Sequence, residues 1–281
     1  MKLQIILLKI DKLNHEEERI CLARHMRDER PEWELQDFDC YAGEGEKAFL
    51  ITDSRSAADQ ALKKNMGFAV YLNETGKAGY FPEALYCIDD LSVLPILQIE
   101  RMYLRYYGRP WTILETKRCI LREITTDDVD ALFRIYEDGE VIRYMDGLSE
   151  SREEEIAFIR EYAEKQYRFY EYGMWVVIRK EDGSLIGRAG IEGRAGFEDA
   201  EIGYVIAADC RRRHYAREVC LAVLAYAQEV LGMERLNAFV REENTASKAL
   251  LHSLGFLAAE TAVLQGTLHE RYVWKSDELA D

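Results

Sequence analysis

The first clear pattern in the chain is LQIILLKI at 3–10, apolar on both parities. That is how a strand covered on both faces reads. A polar stretch from His15 to Arg27 follows, with Ile20, Leu22, Ala23 and Met26 placed to face inward on a helix. AFLIT at 48–52 is a second buried strand. Asp53 and Ser54 supply N-cap chemistry for the helix SAADQALKKNMG, which Gly67 closes. FAVYLN and ALYCID read as two more short strands, and 96–107 as a helix rich in aromatics. Such alternation predicts a small, mainly parallel, three-layer α/β domain over residues 1–110. Gly108 and Pro110 then break the pattern and mark a junction.

The second half has a different rhythm. CILREI is a strand, and TTDD at 125–128 opens a helix whose apolar face is Val129, Leu132, Phe133 and Tyr136. The loop MDGLSES leads to a long helix over about 152–170. GMWVVIRK and SLIGRAGIEG are strands joined by the turn Glu181-Asp182-Gly183. AEIGYVIA at 200–207 is another strand. A helix to about Leu231 follows, expected to bury Val219, Ala222, Val223, Tyr226 and Val230. RLNAFV is a strand, Asn244 opens a helix ending at Leu254-Gly255, and two strands finish the chain. The prediction for 111–281 is an α+β domain on a mixed central sheet.

Composition narrows the function classes. The 281 residues carry a formal net charge of -15. A general nucleic-acid or anionic-membrane binder needs a broad basic face, so neither partner is expected. No apolar run reaches the ~20 residues of a membrane helix. The 6 cysteines form no CxxC pair and only 5 histidines are present, so no metal site is expected and the thiols read as reduced. This profile points to a cytoplasmic protein and leaves a homodimer open.

Against that acidic background stands DCRRRHYARE at 209–218, with four arginines around His214. It lies between a strand and a helix. There, backbone N–H groups and the helix dipole make a site for an anion. Together, CILREIT, EIGYVIA, RRRHYAREV and N-TAS-KALLHSLGF, in that order, resemble the GNAT superfamily of N-acetyltransferases, and within it the ribosomal-protein-type branch. The resemblance spans about 115–275. It implies a splayed central sheet, acetyl-CoA as co-substrate, and direct attack of a primary amine on the thioester. The amine would belong to a small molecule or a protein N-terminus.

The resemblance also assigns roles. The family motif [QR]xxGx[GA] falls on Arg211, Arg212, Arg213, His214, Tyr215 and Ala216, which would hold the pyrophosphate, with histidine where glycine is usual. A backbone N–H near Val205 or Ile206 would polarise the thioester carbonyl. Asn244 and Ser247 would contact the CoA arm. The tyrosine that many relatives carry seven residues after the asparagine is Leu251 here. Glu201 is the first candidate base, or else pairs with Arg188 or Arg194. His252 and Ser253 are candidate acids. Tyr204 reads as packing. Tyr167, Phe169, Tyr170, Tyr172 and Trp175 either wall the acceptor side or, for most of them, fill the core, and Asp146 and Glu150 either attract an ammonium group or stand idle in an exposed loop. Should the basic loop serve no ligand, its arginines would pair with Glu201 or Glu218. Two other functions stay open: a non-catalytic acyl-CoA-binding sensor, and a phospho-responsive regulator through Asp53.

Overall fold

The computed structural model describes residues 2–10, 16–72, 81–145 and 147–276. The chain divides into two compact units, Met1–Trp111 and Thr112–Asp281. No described helix is long and apolar enough to cross a membrane.

In the first unit, β1 (Ile5–Lys9), α1 (Glu16–Glu29), β2 (Glu34–Asp37), β3 (Ala48–Thr52), α2 (Arg55–Lys63), β4 (Gly67–Tyr71), β5 (Cys87–Ile88) and α3 (Ile96–Tyr106) follow in order. The sheet is parallel throughout, in the order β2-β1-β3-β4-β5. Strand parity explains its continuous apolar strands. Ile6, Leu8, Phe49 and Ile51 pack with Leu22, Met26, Ile99 and Met102 on one face. Leu7, Leu50, Phe68 and Val70 meet Ala57, Ala58 and Ala61 on the other. This is the expected three-layer α/β unit. Ile20, expected inward, is 53% exposed, because the helix turns only Leu22 and Met26 fully to the sheet. Ser54, and not Asp53, holds the N-cap position of α2. Thr52 is fully buried, and its hydroxyl donates to the Lys9 carbonyl, tying the ends of β1 and β3 together. Asp11 and His15 lie outside the described residues.

The second unit opens with the edge hairpin β6 (Thr112–Glu115) and β7 (Cys119–Arg122). A capping box between Thr125 and Asp128 starts α4 (Val129–Tyr136). The short α5 (Gly139–Ile142) and then α6 (Arg152–Tyr162) follow. A single π turn at Ala163–Tyr167 carries α6 into the short α7 (Arg168–Tyr170). The remainder is β8 (Met174–Arg179), β9 (Leu185–Glu192), β10 (Glu201–Ile206), α8 (Tyr215–Glu229), β11 (Arg235–Val240), α9 (Thr245–Ser253), β12 (Leu257–Leu264) and β13 (Thr267–Lys275). Eight strands form one sheet in the order β12-β13-β11-β10-β9-β8-β7-β6. Every neighbouring pair is antiparallel except β10 and β11. Those two run parallel and share one register pair, Glu201 with Asn237, before they part. The mixed, splayed sheet is therefore present.

Helix α8 covers one face of this sheet, where Trp175 is fully buried and meets Tyr226 edge-on at 5.4 Å. Val230 lies beyond the end of α8 and is 58% exposed, against expectation. On the other face, Tyr167 is buried and bonds the backbone at Ile124 and Met174. Close strand approach there depends on glycine. A Cβ at Gly190 would overlap the Gly173 carbonyl oxygen. Gly190→Ala should therefore destabilise the second unit by about 3 kcal/mol or more, since the obstacle is backbone and cannot swing aside. Urea unfolding monitored at the tryptophans measures this.

Candidate active site

A cleft of about 450 Å³ opens where β10 and β11 part. Glu201, Ile202, Gly203 and Tyr204 line it from β10, and Ala238, Phe239 and Val240 from β11. Asn244, Ser247 and Leu251 face it from α9. The far wall is the β12–β13 hairpin tip, through Leu264, Gln265, Thr267 and His269. Gln265 and Gly266 have φ of 48° and 77°, the two left-handed residues a tight hairpin turn requires. Tyr144 and Met145 close the side formed by the loop after α5.

The parity of β10 decides which amides reach the gap. Ala207 donates its N–H to the Ile186 carbonyl of β9 at 2.8 Å. Successive strand residues alternate sides, so Val205 is turned to β9, and Tyr204 and Ile206 are turned to the gap. Asn237 N–H donating to the Ala200 carbonyl at 2.8 Å agrees with that parity. Of the two expected donors, Ile206 therefore turns its N–H to the gap and Val205 does not, and the Tyr204 N–H joins Ile206 there. The side chain of Val205 packs with Ile135, Tyr136 and Val141.

Beyond β10 the chain reaches the arginine loop. His214 sits at the N-cap of α8 with φ 63° and ψ 15°, and Arg212 has φ 58°. The backbone at residue 214 thus keeps the left-handed form that glycine adopts without cost. The helix's first internal bond is Glu218 N–H to the His214 carbonyl. The amides of Tyr215, Ala216 and Arg217 come before it and have no helical acceptor. A pyrophosphate fits this donor set and the positive end of a 15-residue helix. The arginine side chains are spread out. Arg211 pairs with Asp138 at 3.3 Å, Arg213 lies 5.7 Å from the Tyr215 ring, and Arg212 is exposed.

A residue not singled out in the sequence holds this loop in shape. Arg118, after β6, binds Glu218 through Nε at 2.6 Å and the Arg213 carbonyl through Nη1 at 3.0 Å. It also stacks on Tyr215 at 4.2 Å. Thr116 and the Arg118 amide bond the same carboxylate. Glu218 is therefore occupied by Arg118 and not by the loop arginines.

Glu201 lies where β10 enters the cleft and pairs with Arg194. Burial pushes its carboxyl above the ordinary range, and Arg194 offsets part of that rise. Tyr204, expected to be packing, carries a buried hydroxyl with no hydrogen-bond partner within normal geometry. Ser247 is its polar neighbour. Burial raises its pKa, so at neutral pH the phenol keeps its proton. His252 is exposed, stacks edge-on against Tyr272 at 5.4 Å and does not line the cleft. Ser253 spends its hydroxyl on the Leu250 carbonyl. Asn244 accepts the Ser247 amide as helix cap at 3.1 Å. Cys210 is buried, with its thiol pushed up by desolvation. Of the expected aromatic wall, Tyr167 and Trp175 are core, while Phe169 and Tyr170 are exposed away from the cleft. Asp146 lies outside the described residues.

Residues 118–257 match the model of the acetyltransferase (GNAT) domain. An N-acetyltransferase of Bacillus subtilis, YoaA, itself uncharacterised, is 39% identical over 147 residues, covering 51% of this chain and 82% of that one. The chain belongs to the GNAT acetyltransferase family. A second such protein, p20 of Bacillus licheniformis, is 30% identical over 151 residues, covering 51% and 81%. Among solved structures, the ribosomal-protein-S5-alanine acetyltransferase of Vibrio fischeri superposes with a TM-score of 0.51 at 16% identity, covering 59% of this chain and 97% of that one. An acetyltransferase of Agrobacterium tumefaciens gives 0.51 at 21%, covering 58% and 94%. Both share the fold. The matches make this chain an acyltransferase.

His214 tests the loop of this GNAT protein. His214→Gly removes a left-handed strain of about 1–2 kcal/mol and adds chain entropy of about 0.5–1 kcal/mol. The variant should be equal to the parent or up to about 1 kcal/mol more stable, with affinity for CoA retained or improved. Thermal unfolding and calorimetric titration with CoA measure both. A large loss of affinity would mean that the imidazole itself contacts the ligand.

Proposed function

We propose that the second unit transfers an acetyl group from acetyl-CoA to a primary amine by direct attack. The observation that carries this reading is the parting of β10 and β11 after one register pair. It leaves the Tyr204 and Ile206 amides turned to an open gap that leads to the free amides of α8.

In this reading the amides of residues 212–217 receive the pyrophosphate. The pantetheine arm lies in the gap, passing Asn244 and Ser247. The Ile206 and Tyr204 amides face the thioester carbonyl, where negative charge develops, and supply the oxyanion donors. Glu201 takes the proton of the incoming ammonium group, so that a neutral amine attacks. The amine nitrogen forms a bond to the carbonyl carbon, and the carbon–sulfur bond then breaks. Tyr204 gives its proton to the leaving thiolate and recovers one from the new amide nitrogen through water. This replaces the acid that Leu251 cannot supply. No acyl-enzyme is required, since Cys210 is buried and its thiol is held protonated.

Release of the CoA thiol, measured with acetyl-CoA and a panel of amines, tests the reading. Turnover is expected, with Tyr204→Phe and Glu201→Gln each lowering kcat about 100-fold. Saturable CoA binding without turnover on any amine would contradict it and favour a sensor.

The pH profile checks the base. A base must be unprotonated, so the rate falls as pH drops through its pKa. Because burial raises the Glu201 pKa, the acid limb should lie above the ordinary glutamate value of about 4.3. Arg194 stabilises the charged form, so Arg194→Met should move that limb to still higher pH.

A further inference from the structure

The cleft holds one charge that neither the sheet nor the transfer chemistry above explains. Arg188 of β9 lines it, with its guanidinium deeply buried while a strip of the residue stays open to the cleft. Its Nε has no hydrogen-bond partner. Among the described residues, no carboxylate stands within ion-pairing distance of it. Three tyrosines and Glu192 act on it electrostatically. Tyr162 donates its proton to Glu192, and Tyr167 donates to the Met174 carbonyl. Of the three tyrosines, Tyr136 is the one whose hydroxyl turns toward the guanidinium. A guanidinium has five N–H donors, and the one on Nε is buried with nothing to bond. A buried cation left in this state is strongly unfavourable unless a ligand completes it.

Register places this cation relative to the reacting end. Val205 lies opposite Arg188, and Glu201 opposite Glu192. All four side chains leave the same face of the sheet. Between the two rows lies Gly203 opposite Gly190, which contributes no side chain, with Met174 leaning over Gly203. The result is a floor with the base at one end and the guanidinium about four residues, roughly 13 Å of strand, along. Both side chains are long, so one small molecule can touch the charged ends of both. Three arginines, Arg188, Arg194 and Arg241, face two glutamates in this cleft, an excess of positive charge in a chain of formal net charge -15.

We infer that Arg188 binds a carboxylate of the acceptor, so that the substrate is a small amino acid held by its carboxylate while its amine faces Glu201. This rests on the acetyl-transfer reading above and names the substrate class of that site. A planar carboxylate satisfies two guanidinium donors at once, which a neutral acceptor cannot do. The cleft's volume suits a small zwitterion beside the thioester end of the CoA arm.

The test uses the whole protein with saturating acetyl-CoA. The acceptors are free amino acids with the amine at the α, β or γ position, their carboxamides, short peptides, and spermidine. CoA release gives kcat/KM for each. At least one free amino acid should be turned over, and its carboxamide should lose about 100-fold, mainly through KM. Arg188→Met should bring acid and amide within about three-fold of each other while leaving CoA affinity unchanged. Arg188→Lys should recover part of the preference. Without ligand, Arg188→Met should melt no lower than the parent, because a buried charge with no carboxylate partner and an unbonded Nε–H is removed; a purely structural arginine gives the opposite. Equal use of acids and amides by the parent overturns the inference, as does turnover of peptides or spermidine alone. So does acetyl-CoA binding with no amino acid accepted. Failure to bind acetyl-CoA in calorimetry overturns the acetyl-transfer reading itself, and this inference with it.

Discussion

The second unit depends on a single point of attachment between two parallel strands. β10 and β11 are joined at Glu201 and Asn237 and nowhere further along. Asn237 is fully buried, and its side chain is held at both ends. Nδ2 donates to the Asp199 carbonyl at 2.8 Å, and Oδ1 accepts from Arg271 at 2.9 Å. The fork is thus rigid at its apex and open toward α8. Closing it would bury more backbone hydrogen bonds but would leave no room for a ligand. An unpaired pair of strand edges inside a sheet is costly unless something else satisfies them. The same edges make a site for a chain of amides.

Electrostatics follows from this geometry. The cleft gathers ionisable groups into a region of low dielectric, where each pair matters more than on the surface. Glu201 is matched by Arg194, and Glu192 by the Tyr162 hydroxyl. Arg188 has no carboxylate matched to it among the described residues, and its Nε–H is unbonded. Outside the cleft, the loop before α8 is shaped by a network centred on Glu218, about a hundred residues away in sequence from Arg118 and Thr116. A side chain in the first turn of the helix therefore fixes the backbone of the loop whose amides have no helical acceptor. The arginines that mark this loop in the sequence lie mostly at its margin.

Much of this was legible in the sequence where the signal is local. TTDD at 125–128 announces a helix start, Asn244 a helix cap, and Glu181-Asp182-Gly183 a hairpin turn, and each is found there, with Thr125 as the cap of the first. Continuous apolar strands foretold a sheet covered on both faces. The arginine loop was readable as a strand-to-helix turn, and residue 214, where the resembled motif has glycine, is left-handed. What was hidden needs long-range information. Edge strands β2 and β6 carry little apolar pattern because one side has no partner. The turn of Val205 away from the gap depends on register, which no single strand reveals. His269 and not His252 lines the cleft, because the hairpin folds back over it while α9 turns His252 outward. Tyr204 and Arg188 are ordinary in a strand until their surroundings are known.

The central claim is that the gap between β10 and β11 receives the thioester arm. A crystal structure with acetyl-CoA tests it most directly. The account predicts the pyrophosphate on the amides of residues 212–217 and the thioester carbonyl within hydrogen-bond distance of the Ile206 or Tyr204 N–H. Acetyl-CoA bound outside the gap, or a carbonyl turned away from both amides, would contradict it.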